Sequence, residues 1–184
     1  MDQCFWILQQ LYPVCFGGFL HGAFFDSGGD VQVCLDGNFH HCYLKYEGEG
    51  STFYDPKRIL LKEFIDTVRI WIVEAHKFSQ RSRKFQVLDK AVDECKKAQK
   101  AANGNKEIMT SEKFDANGLM TLVYWHDIPL FFVNINTSEE QQKYTVALIL
   151  HLFSLIPAAA TVLGLYNIAC ILAHSLQLVG FISG

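Results

Sequence analysis

Asp36 and Asn167 each sit near the end of an apolar run that reads as a β-strand, DVQVCLDGNF at 30–39 and ATVLGLYN at 160–167. If those strands are neighbours, a carboxylate and an amide project into one crevice. Ligand sites in open α/β sheets collect outside strand carboxyl ends. The chemistry such a crevice serves is metal-assisted phosphodiester cleavage, in which carboxylates hold two divalent cations about 3.5–4 Å apart. Mg²⁺ takes oxygen ligands of this kind. Asp and Asn are also ordinary turn formers at strand ends, and spacing alone does not separate the two readings. Other reactive groups favour plainer roles. His40 and His41 with Cys34 and Cys42 form one cluster where a zinc site needs two ligand pairs, and adjacent strand residues point to opposite faces. His126-Asp127 reads as a tight turn. Cys170 reads as a buried thiol, because no base is indicated beside it.

The elements that must position Asp36 and Asn167 alternate between strand and helix. Residues 1–29, aromatic and glycine-rich, are expected to be loop. The strand at 30–39 turns at Gly37-Asn38, and HHCYLKYE at 40–47 is expected to pair with it as a hairpin. Residues 57–79 carry Leu61, Phe64, Ile65, Val68, Trp71, Ile72, Ala75 and Phe78 at helical spacing, and a second amphipathic helix is predicted over 86–101. NGNKE at 103–107 reads as a loop. Two apolar strands, 118–126 and 128–136, flank Asp127, with Pro129 restricting the start of the second. Thr137 with Glu140 and Ser138 with Gln141 form overlapping capping boxes for a helix that runs to Ile156 and is stopped by Pro157. Its inward residues are Tyr144, Leu148, Leu152 and Leu155. The run at 160–167 is expected to be a buried parallel strand, and 168–182 a helix. The fold class is α/β with a mixed sheet.

The chain has 184 residues, half of them apolar and 19% charged, which excludes disorder, collagen and coiled coil. The net charge of −3 hides an asymmetry. Residues 1–50 hold one Lys/Arg against six Asp/Glu, 51–113 hold fourteen against nine, and 114–184 hold one against four. The basic middle segment is either a solvated helical face or a surface for an anionic partner. Six scattered cysteines and an N-terminus without a basic start argue for reduced thiols and an intracellular protein. Residues 144–184 contain no Asp, Glu, Lys or Arg. A membrane hairpin is one explanation. A buried helix followed by a buried strand is the other, and it is favoured because Pro157 divides the stretch and its second part contains Gly164, Asn167, His174 and Gln177.

Several segments taken in order carry a resemblance: YPVCFGG at 12–18, CLDGNF at 34–39, VLDKAVDECKKA at 87–98, GLMTLVYWHDIPLFFVNINTSEEQQKY at 118–144 and ATVLGLYNIAC at 160–170. Together they resemble the Kyakuja-Dileera-Zisupton (KDZ) transposases of eukaryotic, especially fungal, mobile elements. The likeness covers roughly residues 12–178, is dense after 114 and is sparse between 43 and 86.

The resemblance implies an RNase H-like core of the DDE/D type over 30–184, with a loop-rich flank at 1–29 and a basic helical insertion at about 57–113. It implies DNA as partner, Mg²⁺ or Mn²⁺ as cofactor, a nuclear location if the protein is functional, and cleavage and strand transfer as the ancestral activity. Asp36 matches the first acidic position and would be a metal ligand. The second acidic residue of the family motif is replaced, since this chain reads Tyr166-Asn167-Ile168-Ala169-Cys170. The third carboxylate, expected well downstream on a later helix, has no counterpart here, nor do the fifth strand and closing helix. Tyr12-Pro13-Val14-Cys15 stands where a Cys-Pro-x-Cys zinc half-site is expected. The chain is therefore expected to be a truncated, catalytically degenerate form with the first four strands of the sheet. In the insertion, Lys57, Arg58, Lys77, Arg81, Arg83 and Lys84 are the expected DNA contacts. The rivals are a non-catalytic DNA-binding or dimerising module, with oligomerisation open, and the membrane hairpin.

Overall fold

The computed structural model describes residues 3–18, 22–38, 43–44, 58–79, 114–137, 141–167, 169 and 172. Helices α1 (Gln3–Leu11) and α2 (Pro13–Phe16) come first. Strand β1 (Val31–Asn38) and the short β2 (Tyr43–Leu44) follow, then helix α3 (Lys62–Ser79). Strands β3 (Phe114–Ala116), β4 (Gly118–Tyr124) and β5 (Ile128–Ile135) precede helix α4 (Gln142–Leu155) and strand β6 (Val162–Leu165). The main sheet has the order β5-β4-β1-β6. β4 is antiparallel to both β1 and β5, and β6 is parallel to β1.

Alternation along the strands builds the core. Val31, Val33 and Leu35 of β1 share one face with Met120, Leu122 and Tyr124 of β4 and with Phe131, Val133 and Ile135 of β5, and all are buried. Helix α4 lies on that face. It packs against β4 and β5 on one side and against α1 and α3 on the other. This position between two layers explains why every residue from Lys143 to Leu150 is buried, including the expected Tyr144 and Leu148. A helix that is apolar all round is one buried on all sides. The charge-free composition of this stretch thus belongs to a core helix, and no helix among the described residues is long and apolar enough to cross a membrane.

Several expectations are corrected. Residues 3–16 are helical rather than loop, apart from Tyr12. Leu8, Tyr12 and Phe16, at i, i+4 and i+8, form one buried stripe, and Pro13 takes the first-turn position where its missing N–H costs nothing. The Tyr12 hydroxyl donates to the Leu130 carbonyl. Leu130 is the extra residue of a bulge, since Leu122 pairs with Phe131 while Val123 pairs with Pro129. Pro129 sits at this irregularity, where a missing donor does least harm. β2 does not pair with β1. Its partner is β3, in a separate two-stranded sheet.

Helix α3 starts at Lys62, five residues after the expected start. The chain before it is held extended: Ile59 bridges Phe132, and the Leu60 N–H donates to the Phe132 carbonyl at 2.9 Å. Ile65 and Val68 are buried as expected, whereas Leu61 and Trp71 are exposed. The loop between β4 and β5 contains Trp125, His126 and Asp127 rather than Asp127 alone, and Asp127 has φ +59°, the left-handed residue that a three-residue hairpin requires. The reading of His126-Asp127 as a tight turn holds. At the start of α4, Gln141 caps without a side-chain bond and the Thr137 hydroxyl lies 3.1 Å from the Tyr144 hydroxyl, while Ser138 and Glu140 of the expected capping boxes lie outside the described residues. β6 is parallel as expected but not buried: it is the last strand of the described sheet, with Leu163 and Leu165 37% and 64% exposed. The expected helix at 86–101, the loop at 103–107, and His40, His41, Cys42 and Cys170 lie outside the described residues. So does most of the helix expected at 168–182, of which Ala169 and Leu172 are described and are helical.

Candidate functional site

The two ends of β1 present two different carboxylates. Asp30, just before the strand, is held by three segments. Its Oδ2 accepts from the Gly22 N–H at 2.8 Å, the Ala23 N–H at 3.1 Å, the Thr161 N–H at 2.9 Å and the Thr161 hydroxyl at 3.1 Å. The Thr161 hydroxyl also lies 2.7 Å from the Ala23 carbonyl. Gly22, at φ +77°, approaches so near to the Ala159 carbonyl that a Cβ there would lie 2.7 Å from its oxygen. Asp30 therefore staples the loop before β1 to the entry of β6 and sets the register in which those strands pair.

That register defines the site. Val31 pairs with Val162, Gln32 with Leu163, Val33 with Gly164 and Cys34 with Leu165. Continued for two more residues, it brings Asp36 level with Asn167. Tyr166 turns its hydroxyl towards α4, 3.2 Å from the Thr145 hydroxyl, and Asn167 follows it in a turn that the Ala169 N–H closes on the Tyr166 carbonyl at 3.2 Å. Cys34 and Asp36 lie on the opposite face of β1 from the buried Val33 and Leu35. Both Asp36 and Asn167 are exposed. The Asp36 Oδ1 accepts the Gly37 N–H at 2.9 Å, a local bond that orients the carboxylate and leaves its other oxygen outward.

This donor set does not fit a pair of divalent ions. It offers one charged oxygen ligand and one neutral amide carbonyl. Among the described residues no three His, Cys, Asp or Glu side chains converge. At 4 Å a unit charge pair is worth about 1 kcal/mol in bulk water and about 4 kcal/mol at an effective dielectric of ~20, and a dication doubles either figure. Asn in place of a carboxylate forfeits that attraction while keeping the shape.

Of the six expected basic contacts the structure describes two, Arg58 and Lys77. Arg58 is half-buried and lays its guanidinium over the Tyr12 ring, 5.0 Å from the centroid, a cation–π contact that ties the approach to α3 to the N-terminal helices. Lys77 is exposed near the end of α3. Lys57, Arg81, Arg83 and Lys84 lie outside the described residues. The altered zinc half-site is accounted for structurally: Tyr12 is buried, Pro13 starts α2, and burial raises the pKa of the half-buried Cys15 thiol. Sequence reasoning missed Asp30, Thr145 and Tyr166. Asp30 follows Gly28-Gly29 directly, and a polar residue there is the one local signal for a staple at a strand entry. Nothing local marks Thr145.

A protein-family model described as KDZ, Kyakuja-Dileera-Zisupton transposase, matches residues 30–181. No curated protein and no solved structure matches the chain.

Proposed function

The chain belongs to the Kyakuja-Dileera-Zisupton transposase family, and from that premise we propose that it carries an RNase H-like DDE/D core whose second acidic position is lost, so that it does not cut DNA by itself. The order β5-β4-β1-β6 supports the RNase H-like reading. So do the single parallel pair in an otherwise antiparallel sheet and the placement of α4 between the third and fourth of those strands in chain order. The observation that carries the proposal is the parallel β1–β6 register, from Val31 with Val162 to Cys34 with Leu165, which supports placing Asp36 and Asn167 near one another just past the paired strand ends. Asp36 is the first acidic ligand of the ancestral site and Asn167 its neutralised second. When bound, Mg²⁺ or Mn²⁺ would activate the attacking oxygen and stabilise the leaving one. Asp36 and Asn167 supply too little charge to hold a pair of these ions.

DNA remains the partner that family membership suggests. Binding, not cleavage, is the activity this chain retains, with Lys77 and the basic residues outside the described segments as its contacts and the nucleus as its place of action. The test is nicking of supercoiled plasmid with Mg²⁺ or Mn²⁺, run beside DNA binding at graded salt. The expected result is no nicking above an Asp36→Ala control, together with binding that weakens with salt and persists in EDTA. Metal-dependent nicking that Asp36→Ala abolishes would overturn the proposal.

A further inference from the structure

Whatever places the side chain of residue 167 decides whether the crevice exists. Asn167 follows the end of β6 at Leu165, beyond the last strand pairing with β1, and it is exposed in a turn. Backbone pairing alone does not hold it level with Asp36. The nearest fixed point is Tyr166, which is half-buried and packs on the core from the α4 side. Its hydroxyl lies 3.2 Å from the hydroxyl of Thr145, and Thr145 is buried, with its hydroxyl 3.3 Å from the Met120 sulfur. A threonine hydroxyl carries one hydrogen, and a tyrosine hydroxyl can donate as well as accept. The two hydroxyls and the sulfur therefore form a short chain from β4 through α4 to the residue before Asn167. Tyr166 is also the first residue of the turn that carries Asn167, since its carbonyl accepts the Ala169 N–H at 3.2 Å. Anchoring Tyr166 to α4 thus fixes the start of that turn and limits where the Asn167 side chain can reach.

We propose that Thr145 is a positioning residue for Asn167, acting through the Tyr166 hydroxyl. This rests on the reading of Asn167 as the second acidic position. Helix α4 thereby contributes to the crevice from the opposite face of the sheet, without touching anything bound in it.

The test measures the geometry directly. Neighbouring strands lie about 4.7–4.9 Å apart, and a disulfide bridges Cα atoms about 4.4–6.8 Å apart. The full chain carrying Asp36→Cys and Asn167→Cys, with Cys34→Ser to remove the nearest competing thiol on that face, is equilibrated in glutathione buffers. The 36–167 link is then quantified by peptide mass spectrometry. The expected result is a link whose effective concentration falls about three- to tenfold with Thr145→Val and with Tyr166→Phe, the worth of one hydrogen bond. Thr145→Ser, which keeps the hydroxyl, should restore it. Urea melts of the two weakened variants show whether general loosening is involved, and a native-like midpoint with a weakened link is the expected pairing. An unchanged link in both hydroxyl-deleted variants would overturn the positioning role and leave the reading of Asn167 intact. No link in any background would overturn that reading and the positioning role with it.

Discussion

Asp30 and Asp36 bracket the same strand and carry the same side chain, yet they do opposite things. Asp30 accepts hydrogen bonds from Gly22, Ala23 and Thr161 and joins segments far apart in sequence. Asp36 makes one bond to the next residue and faces outward. A carboxylate surrounded by donors is part of the frame. The one at Asp36 stays open at the strand's carboxyl end. The β1–β6 pairing links the two, because the staple at Asp30 holds the entry of β6 beside the strand that carries Asp36.

The comparison breaks if the two carboxylates cost the fold the same. Asp30→Ala strands several half-buried donors and should lower unfolding free energy by about 2–4 kcal/mol, since hydrogen bonds to a charged acceptor contribute roughly 1.5–3 kcal/mol each and part of that is recovered by water. Urea titration measures this directly. Asp30→Asn, which keeps an acceptor oxygen without the charge, should fall between Ala and the native protein.

The helical layer supplies a third case, a polar group half-buried among rings. His151 of α4 meets Phe131 edge-on at 4.6 Å and Phe64 at 6.3 Å, and burial lowers its pKa below the usual 6.5. A depressed histidine binds protons more readily in the unfolded chain. Stability should therefore hold above about pH 6.5 and decline as pH falls below that ordinary value towards the folded one. His151→Phe should flatten this limb of the profile, and an unaltered slope would remove His151 as its cause. The smallest effect sharpens the contrast most: Asp36→Ala should change stability by no more than about 0.5 kcal/mol, as for an exposed surface position.

Local pattern made β1, β4, β5 and α4 legible, because alternation and helical spacing show in the order of residues. Tyr144, Leu148, Leu152 and Leu155 were readable as inward for that reason, and all four are buried. What stayed hidden depends on partners distant in sequence. An apolar run at 160–167 reads alike as a central or an edge strand, and only the sheet order makes it the last strand among the described residues. The partner of β2 lies beyond α3, so no hairpin signal exists for it. In the N-terminal segment, glycines and aromatics masked the stripe of Leu8, Tyr12 and Phe16. At the site, Asp36 and Asn167 were legible as strand ends. Asp30 was not, since its donors at 161 come from across the chain.

The central claim is that Asp36 and Asn167 share one crevice in which an amide stands in place of the second carboxylate. Mn²⁺ titration, followed by electron paramagnetic resonance of the free ion, tests it on the native chain, Asn167→Asp, Asp36→Ala and the double variant. Restoring the charge at an exposed site is worth about 2 kcal/mol towards a dication, so Asn167→Asp should bind Mn²⁺ at least about tenfold more tightly than the native chain. Asp36→Ala in the same background should erase that gain. No gain from Asn167→Asp, or a gain that survives Asp36→Ala, would contradict the account.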